Sequence, residues 1–401
     1  MAERPRSHRP RLLVLGAGAA QLGLLEAARA RDLFVIAVDR DPQAPGFAYA
    51  DERAVLSSED ELGVERLARA RDVDGLVSPG ADWPVGLAAR IAERMGLPHP
   101  IDGATAVLAT TKTRQREGLA AAGVPQPRVF SADDPDLPLP CVVKAPDRQG
   151  QRGLTLVRDP AELPAALEVA VAESRGGSAL VEELIDGPEL TVNAVSFDGR
   201  FVPLTVTDRL TAEPPAFGVA LAHAWPSVHA TDAVVAAARA AAEALGVRNG
   251  PTYTQIRLGP DGARVVELAA RLGGGHDAEL CRAALGVDLN DLAVSFALGE
   301  PLAASGSEPQ ALSSVGGACV LFLVAPEGAL VAVEGVEEAE THAGIEWVRL
   351  YRRPGWRFGP LRRGADRAGA ILAVGDSRAD ALGRARRAAQ TVRFLVDADT
   401  P

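Results

Sequence analysis

The sequence predicts an α/β protein that begins with a parallel β-sheet. Apolar runs and amphipathic stretches alternate over residues 11–110, which is typical of parallel strands joined by crossover helices. Further along, Asp198-Gly199 and residues 259–262 each separate two apolar runs and predict β-hairpins. The length of 401 residues indicates two or three domains, and the segment after about residue 300 is again mixed in character.

The composition indicates an enzyme or binder of small molecules. The formal net charge of −11 does not suit a protein that grips a nucleic-acid backbone. No apolar run approaches the ~20 residues of a membrane helix, and the N-terminus has no signal-peptide pattern. The three cysteines are too widely spaced for a disulfide framework or a CxxC metal site. We therefore expect a soluble cytoplasmic protein with no nucleic-acid or membrane partner.

The N-terminal segment has the strand–turn–helix order of a nucleotide-binding sheet. Residues 12–15 predict a buried strand, Gly16-Ala17-Gly18 predicts the turn, and the strand of residues 34–38 ends at Asp39. Such glycines let a ligand approach a helix N-terminus, and an acid about 20 residues later suits a ribose. Because Gln21 stands where the dinucleotide fingerprint requires glycine, a tight turn without a cofactor is the alternative.

Lys112 and Lys144 stand out because every other basic residue of the chain is an arginine. A lysine is a compact, mobile ammonium, so these two positions indicate sites where a guanidinium would not fit. Lys112 opens a helix within the helical signals of residues 104–122, and Lys144 ends a predicted strand. The loop of residues 148–153 follows Lys144 and contains Gln149, Gly150 and Gly153. A lysine beside such a loop is suited to clamp phosphates.

The predicted hairpin of residues 253–268 carries Gln255 on one arm and Glu267 on the other. Inward-facing positions there would place two oxygen ligands side by side, as a Mg²⁺ that bridges phosphates requires. Arg271 follows, and the glycines after it leave the backbone amides unobstructed, which suits a carboxylate or phosphate. His276 comes next and is the histidine that we expect to contact substrate.

The order of these motifs over residues 105–280 resembles the ATP-grasp superfamily, in its carboxylate–amine ligase branch. The preceding segment is similar to the Rossmann-like domain of those enzymes, and the tail to their small α+β domain. The resemblance implies three parts: a pre-ATP-grasp domain (1–105), an ATP-grasp domain (106–300, with a lid at about 125–185), and a C-terminal domain that completes the core (301–401).

The resemblance also implies how ATP is bound. Lys112 would contact the α-phosphate side and Lys144 the β-phosphate, while the loop of residues 148–153 would close over the γ-phosphate. The hinge that reads adenine through backbone groups would be Glu182, Glu183 and Leu184, and Glu189 would hold the ribose.

For the metal and the substrate, the resemblance implies a second set of residues. Gln255 and Glu267 would bind Mg²⁺, or Mn²⁺ in its place, and Arg271 would stabilise an acyl phosphate or bind the substrate carboxylate. The remaining substrate-binding positions would be Gly18, Gly273, Gly274 and His276. The family usually has an acid at position 255 and asparagine at position 269, where this chain has glutamine and alanine. A neutral glutamine supplies no charge, so one of two metal sites would be weakened or lost.

The implied reaction is the ATP-dependent formation of an amide. A carboxylate, which we expect to be an amino acid, attacks the γ-phosphate and gives an acyl phosphate and ADP, and an amine then displaces phosphate. The partners would be ATP, the two small-molecule substrates and, as is frequent in such ligases, a second copy of the chain. Three alternatives stay open: a ligase or carboxylase acting on a phosphoribosyl purine precursor, an NAD(P)-dependent oxidoreductase, and a non-catalytic nucleotide binder.

Overall fold

The first four strands form the parallel sheet that the alternating pattern predicts. The computed structural model describes residues 9–301 and 315–397. The strands are β1 (Arg11–Leu15), β2 (Phe34–Asp39), β3 (Glu52–Val55) and β4 (Gly75–Val77), in the order β3-β2-β1-β4. The helices are α1 (Leu22–Ala30), α2 (Glu61–Ala70) and α3 (Asp82–Met95). Strands β1 and β2 are almost fully buried, as strands with both faces covered should be.

The helical segment of residues 104–122 is divided into two helices. They are α4 (Gly103–Thr110) and α5 (Lys112–Ala121), and Thr111 between them has extended backbone angles. The backbone amide of Lys112 donates to the carbonyl of Pro146, 2.9 Å away, instead of continuing the first helix. This break places Lys112 at the first turn of α5, next to the segment that carries Lys144.

Residues 125–185, which were expected to form the lid, contain a small antiparallel sheet (the lid sheet), one helix and the loop of residues 148–153 (the lid loop). The segment contains β5 (Val129–Phe130), β6 (Cys141–Lys144), β7 (Thr155–Val157), α6 (Leu163–Glu173) and β8 (Leu180–Glu183), with the strand order β5-β8-β6-β7. Its apolar core includes Cys141, Val143, Val157 and Ala170. Strand β8 lies in the interior of this sheet, so the chain leaves the sheet at Glu183 toward the main sheet of the molecule.

The main sheet has eight strands in the order β13-β12-β9-β10-β11-β14-β18-β16. Its first five strands along the chain are β9 (Glu189–Phe197), β10 (Arg200–Thr211), β11 (Ala220–Trp225), β12 (Gly250–Gly259) and β13 (Gly262–Ala269), accompanied by α7 (Asp232–Ala244), α8 (Asp277–Leu285) and α9 (Leu289–Leu298). Both predicted hairpins are present, because β9 pairs with β10 and β12 with β13.

The C-terminal segment adds three strands to the same sheet. Strands β14 (Gly317–Leu323), β16 (Ile345–Leu350) and β18 (Gly369–Gly375) join it through β11, while β15 (Gly328–Glu334), β17 (Arg357–Phe358) and β19 (Arg393–Asp397) form a separate three-stranded sheet. The helices are α10 (Val336–Glu340) and α11 (Arg378–Thr391). The predicted α/β class is therefore confirmed. In the part of the chain that the structure describes, no helix is long and apolar enough to cross a membrane.

A buried cluster of charges ties the lid to the main sheet. Glu182 on β8 contacts Lys144 (Nζ to Oε2, 2.6 Å) and Arg116 on α5 (Nε to Oε1, 2.7 Å), and all three side chains are at most 5% exposed. The guanidinium of Arg116 also donates to the carbonyls of Val265 and Val266 on β13. Burial opposes ionisation of Glu182, but the two adjacent cations outweigh burial and hold its pKa below the usual range.

We predict that Arg116→Leu lowers the free energy of unfolding by about 3 kcal/mol. Removing one member of a buried ionic cluster leaves the others without compensation, and such losses are about 3–5 kcal/mol. The matched control is Arg114→Leu on the same helix, where the side chain is 59% exposed and the pair with Glu117 is worth less than about 1 kcal/mol. Urea-induced unfolding of both variants measures the difference. Equal losses of unfolding free energy would contradict a stabilising role of Arg116 in the buried ionic cluster.

Candidate active site

A narrow apolar pocket opens where the chain leaves the lid sheet. The apolar side chains that line it come from both sheets and include Val142, Leu154, Leu184, Ile185, Phe217 and Val266. The amide of Glu183 already donates to the carbonyl of Arg128, 3.1 Å away. Residue Glu182 lies in the interior of the lid sheet and turns its carboxylate to Lys144 and Arg116. The Glu183 amide and the Glu182 carboxylate are therefore already used inside the protein.

Both lysines contact carboxylates, of which Glu182 is buried and Glu267 half-buried. The Nζ atom of Lys112 lies 2.9 Å from Oε1 of Glu267, and that of Lys144 contacts Glu182. Lys112 also donates to the carbonyl of Arg148 in the lid loop, at 2.6 Å. Burial lowers the pKa of Lys144, and burial of Glu267 is outweighed by Lys112, which lowers the pKa of that carboxyl. The lysines are thus held next to one another before any phosphate is bound.

The lid loop of residues 148–153 contacts three other parts of the molecule. Besides Arg148 with Lys112, the Gln149 side chain accepts from the amide of Asp82 at the start of α3. The carbonyl of Gly150 accepts from the amide of Gly364 in the C-terminal segment. Gly150 and Gly153 both have positive φ angles of about 70°, which favour glycine. At Gly150 the backbone can lie close to a ligand because this residue of the cleft lining has no side chain.

Gln255 and Glu267 face each other as direct register partners of β12 and β13, as the hairpin predicted. The side chain of Gln255 donates to the hydroxyl of Tyr253 at 3.3 Å. Among the described residues, no three histidine, cysteine or acidic side chains cluster in a way that could hold a metal. A divalent cation at this pair would therefore need the oxygens of a bound phosphate to complete its ligands, which is how Mg²⁺ is usually held in such sites.

Glu189 and Arg271 both have ionic partners inside the protein. The carboxylate of Glu189 contacts Arg209 at 2.7 Å and Arg257 at 3.4 Å. The guanidinium of Arg271 lies 2.6 Å from Asp82 and also donates to the carbonyl of Leu272. A ribose at Glu189 or a carboxylate at Arg271 would share these groups with their present partners.

A wide cleft of about 570 Å³ adjoins the apolar pocket and is rich in arginine. The pocket and the cleft share Gln151, Arg209 and Gln255. The cleft is lined by the arginines Arg40, Arg152, Arg209, Arg271, Arg352, Arg363 and Arg367. Within the described ranges, Arg40, Arg152, Arg352 and Arg367 form no ion pair with a carboxylate, although the chain as a whole is acidic. This concentration of uncompensated positive charge favours anionic ligands.

The predicted glycines and histidine lie around this cleft, but not all of them line it. Gly274 does, together with Ala19 and Ala20, which directly follow Gly18. A Cβ atom at Gly273 would lie 2.1 Å from Oδ2 of Asp277, so that glycine makes room for a side chain. The ring of His276 is buried, with Nε2 2.6 Å from the Tyr351 hydroxyl. Tyr351, not His276, is the side chain that lines the cleft.

His276 belongs to a buried chain of contacts between three parts of the molecule. Its Nδ1 lies 3.3 Å from Glu279 on α8, and Arg349 on β16 contacts both Glu279 (2.8 Å) and Glu26 on α1 (2.7 Å). Burial works against ionisation of Glu279, but the hydrogen bond with His276 and the charge of Arg349 outweigh it and lower the pKa of Glu279 to about 2. These contacts join α1, α8 and β16 to one another.

Sequence reasoning did not identify several residues of the cleft. His223 and Tyr253 are buried and line it, and the buried Asp277 lies next to it, beside His223. The order His223, Trp225, Pro226 was visible, but a lone histidine on a strand gives no sign of what faces it. Asp39, which was expected to suit a ribose, instead accepts from the amides of Ala17 and Asp41, both 2.9 Å away. Both of its oxygens therefore already stabilise the turn. This supports the alternative in which the segment is a tight turn that binds no dinucleotide.

Two family models match separate parts of the chain. Residues 137–279 match the ATP-grasp domain. Residues 321–397 match the L-amino acid ligase C-terminal domain 2. The crystal structure of the L-amino acid ligase from Bacillus licheniformis superposes with a TM-score of 0.82 at 22% identity, over 97% of this chain and 99% of that one. At this identity the likeness establishes the fold.

Three relatives are similar in sequence. Protein y4rH of Sinorhizobium fredii is 27% identical over 93% of this chain and 80% of its own length. Carnosine synthase 1 of Gallus gallus is 28% identical, over 72% of this chain and 35% of its own length. The formate-dependent phosphoribosylglycinamide formyltransferase of Burkholderia vietnamiensis is 28% identical over 96% of this chain and 95% of its own length.

We predict that Glu279→Gln reduces the acid sensitivity of the fold. A carboxyl whose pKa is lowered on folding contributes stability above its ordinary pKa of about 4.5, and that contribution is lost as the pH falls toward about 2. Between pH 6 and pH 3 the wild type should therefore lose about 2 kcal/mol more unfolding free energy than the variant. Urea unfolding at both pH values measures this, with the exposed Glu337→Gln as the control for a lost charge. Parallel pH curves for wild type and Glu279→Gln would refute the assignment.

Proposed function

The chain belongs to the ATP-grasp superfamily and is an ATP-dependent carboxylate–amine ligase, and from that premise we propose that it joins an amino-acid carboxylate to an amine. The observation that carries the proposal is that the charges of Lys112, Lys144 and Arg271 all lower the pKa of the Glu267 carboxyl, which Lys112 contacts at 2.9 Å. Three cations thus act on one carboxylate; Lys144 lines the apolar pocket, and Arg271 lines the adjoining cleft. This is what a reaction between a triphosphate and a carboxylate needs, because most of its catalysis consists of aligning anions and neutralising charge.

ATP would lie with its adenine in the apolar pocket and its phosphates between the lysines. Leu184 and Ile185 offer backbone groups after the end of β8, and Val142 and Phe217 offer apolar contact. Lys112 and Lys144 would exchange part of their contact with Glu267 and Glu182 for phosphate oxygens. The loop of residues 148–153 would cover the phosphates and exclude water, which would otherwise hydrolyse an acyl phosphate.

The donor set at Gln255 and Glu267 fits one divalent cation bound together with the triphosphate. Lys112 occupies Oε1 of Glu267, which leaves Oε2 and the side-chain oxygen of Gln255 for a cation. Mg²⁺ bound there would neutralise charge on the phosphates. A single carboxylate supports one such cation better than two.

Arg271 would bind the carboxylate of the substrate and hold it in line with the γ-phosphate. Its present partner is Asp82, whose amide also donates to Gln149 of the lid loop. Substrate binding at Arg271 and the position of the loop would therefore be linked through one residue. The match of residues 321–397 to an L-amino acid ligase domain supports an amino acid as the carboxylate. The cytoplasmic location and the homodimer stay predictions from the sequence.

A second candidate is a ligase that acts on a phosphoribosyl purine precursor. The cleft arginines without a carboxylate partner, such as Arg352 and Arg367, favour it, because guanidinium groups bind phosphate through paired hydrogen bonds. The similarity to a phosphoribosylglycinamide formyltransferase over 96% of the chain supports the same candidate. The two candidates differ in the amine that is required.

We predict that ADP and phosphate are released from ATP and Mg²⁺ only when both a carboxylate and an amine are present. The assay screens amino acids singly and in pairs, together with a phosphoribosylamine-type amine, and Glu267→Ala should abolish the release because the carboxylate near the phosphates is lost. Release with amino-acid pairs supports the first candidate, and release that needs the phosphoribosyl amine together with a carboxylate, and that no amino-acid pair gives, supports the second. Stabilisation by ATP without any release would indicate a non-catalytic binder, and stabilisation by NAD(P) alone an oxidoreductase.

We further predict that Lys144→Arg lowers kcat/KM by about 100-fold or more although the charge is kept. The ammonium is buried between Glu182 and the pocket, and a guanidinium fork has neither the room nor the geometry to replace it. The opposite exchange on the surface, Arg114→Lys, serves as the control and should leave turnover unchanged. Turnover close to wild type in Lys144→Arg would remove Lys144 from the phosphate site.

A further inference from the structure

A second histidine lies in the cleft, and its surroundings differ from those of His276. His223 lies on β11 and is the register partner of Arg209 on β10 and of Val320 on β14. The residue is 1% exposed and lines the cleft, and its ring packs edge-on against Phe322 with 5.8 Å between centroids. The sheet thus fixes the imidazole firmly at the floor of the cleft.

Asp277, at the start of α8, lies beside this imidazole. Its Oδ1 is 3.5 Å from Nδ1 of His223, and its Oδ2 accepts from the amide of Gly275 at 3.1 Å. Neither Nδ1 of His223 nor Oδ1 of Asp277 has a hydrogen-bond partner among the described residues, although both are buried. Buried polar atoms are nearly always hydrogen-bonded, so these two are expected to bond to each other after a small rotation of the ring.

That bond would determine which ring nitrogen faces the ligand. If Nδ1 carries the proton and donates to Asp277, Nε2 holds a lone pair on the side of the cleft. A Cβ atom at residue 275 would lie 2.7 Å from Nε2, so a glycine there keeps the approach to this atom open. Burial, with help from the charges of Arg209 and Arg367, lowers the pKa of His223 to about 4, against the attraction of Asp277. The imidazole is therefore neutral near pH 7, with a free lone pair on Nε2, although the lowered pKa makes it a weak base.

His276 shows what a structural histidine looks like in the same fold. Both of its ring nitrogens have partners inside the protein, Glu279 and the Tyr351 hydroxyl, and it does not line the cleft. His223, in contrast, lines the cleft, and its Nδ1 has no partner among the described residues. The difference indicates that His223 can form a hydrogen bond with a group that enters the cleft.

We propose that His223 is the base of the second half-reaction and that Asp277 is its positioning residue. This inference rests on the proposed ligase function. As the nitrogen of the unprotonated amine bonds to the acyl carbon, it passes one proton to Nε2, and the C–O bond to phosphate breaks with its electron pair leaving on the phosphate. The proton then passes from the imidazolium to the departing phosphate, so the histidine is restored. A neutral imidazole suits this step because the nitrogen becomes strongly acidic only while the new bond forms.

The test separates the two half-reactions within one sample. Wild type and His223→Asn are incubated with ATP, Mg²⁺ and pooled amino acids as carboxylates, and the amine is either the amino-acid pool or hydroxylamine. Hydroxylamine is unprotonated at neutral pH and reacts with acyl phosphates without a base, giving a hydroxamate that ferric iron reveals by colour. The control is His229→Asn, in the loop that follows β11 and outside the cleft.

In His223→Asn we expect amide formation with amino-acid amines to fall by about 100-fold or more, the usual contribution of general base catalysis. Hydroxamate formation should fall by less than about fivefold, which would also show that the variant is folded and makes the acyl phosphate. Asp277→Asn should also lose more amide than hydroxamate formation, but the loss should be smaller than in His223→Asn. The new amide can donate to Nδ1 and so favours the tautomer with the proton on Nε2, while the imidazole ring is kept. His229→Asn should match wild type in both reactions.

Three results would overturn the proposal. Equal losses of amide and hydroxamate in His223→Asn would assign the residue to the first half-reaction or to the structure. Unchanged amide formation would remove it from the reaction. If the wild type itself gives neither hydroxamate nor ADP with any pool, the ligase function fails, and this inference fails with it.

Discussion

The site depends on the way in which its cations are held before a ligand arrives. Each of the only two lysines of the sequence contacts a glutamate: Lys144 contacts the buried Glu182, and Lys112 contacts the half-buried Glu267. Arg271 is held in the same way by Asp82. A buried cation without a partner would strongly destabilise the fold. These carboxylates therefore allow the cations to remain charged in the site before a ligand binds. A triphosphate that enters can then take over contacts from groups already in position, with little reorganisation.

The same pairs connect the parts of the molecule that surround the cleft. Glu182 belongs to the lid sheet, Glu267 to the main sheet and Asp82 to the first helix after β4. Elsewhere, Arg349 on β16 joins α1 to α8 through Glu26 and Glu279. Each ion pair therefore holds two segments together and also contributes to the electrostatic potential in the site. When an anionic ligand takes over one of these contacts, the packing between the two segments should change as well.

The sequence predicted those features that depend on local pattern. The parallel N-terminal sheet, the two hairpins and the register of Gln255 with Glu267 all follow from periodicity and turn residues, and the structure contains them. The rarity of lysine pointed to Lys112 and Lys144 for a physical reason, and both lie near the proposed phosphate site. Contacts between distant residues left no such pattern. Arg116 and Glu182 are 66 positions apart, and His223 and Asp277 are 54 apart, so only the folded chain reveals these pairs.

The triple glycine shows how one pattern can be noticed correctly and explained only in part. Free backbone amides would account for a glycine-rich turn after Arg271, but the turn also serves the side chains behind it. A Cβ atom at Gly273 would collide with Asp277, and one at Gly275 would collide with His223 and make a tight contact of 3.1 Å with Asp277. Larger residues at these two positions would push the carboxylate and the imidazole apart or close the approach to Nε2. The glycines are therefore required by the buried histidine–aspartate pair, and a sequence cannot state this because the histidine comes from another strand.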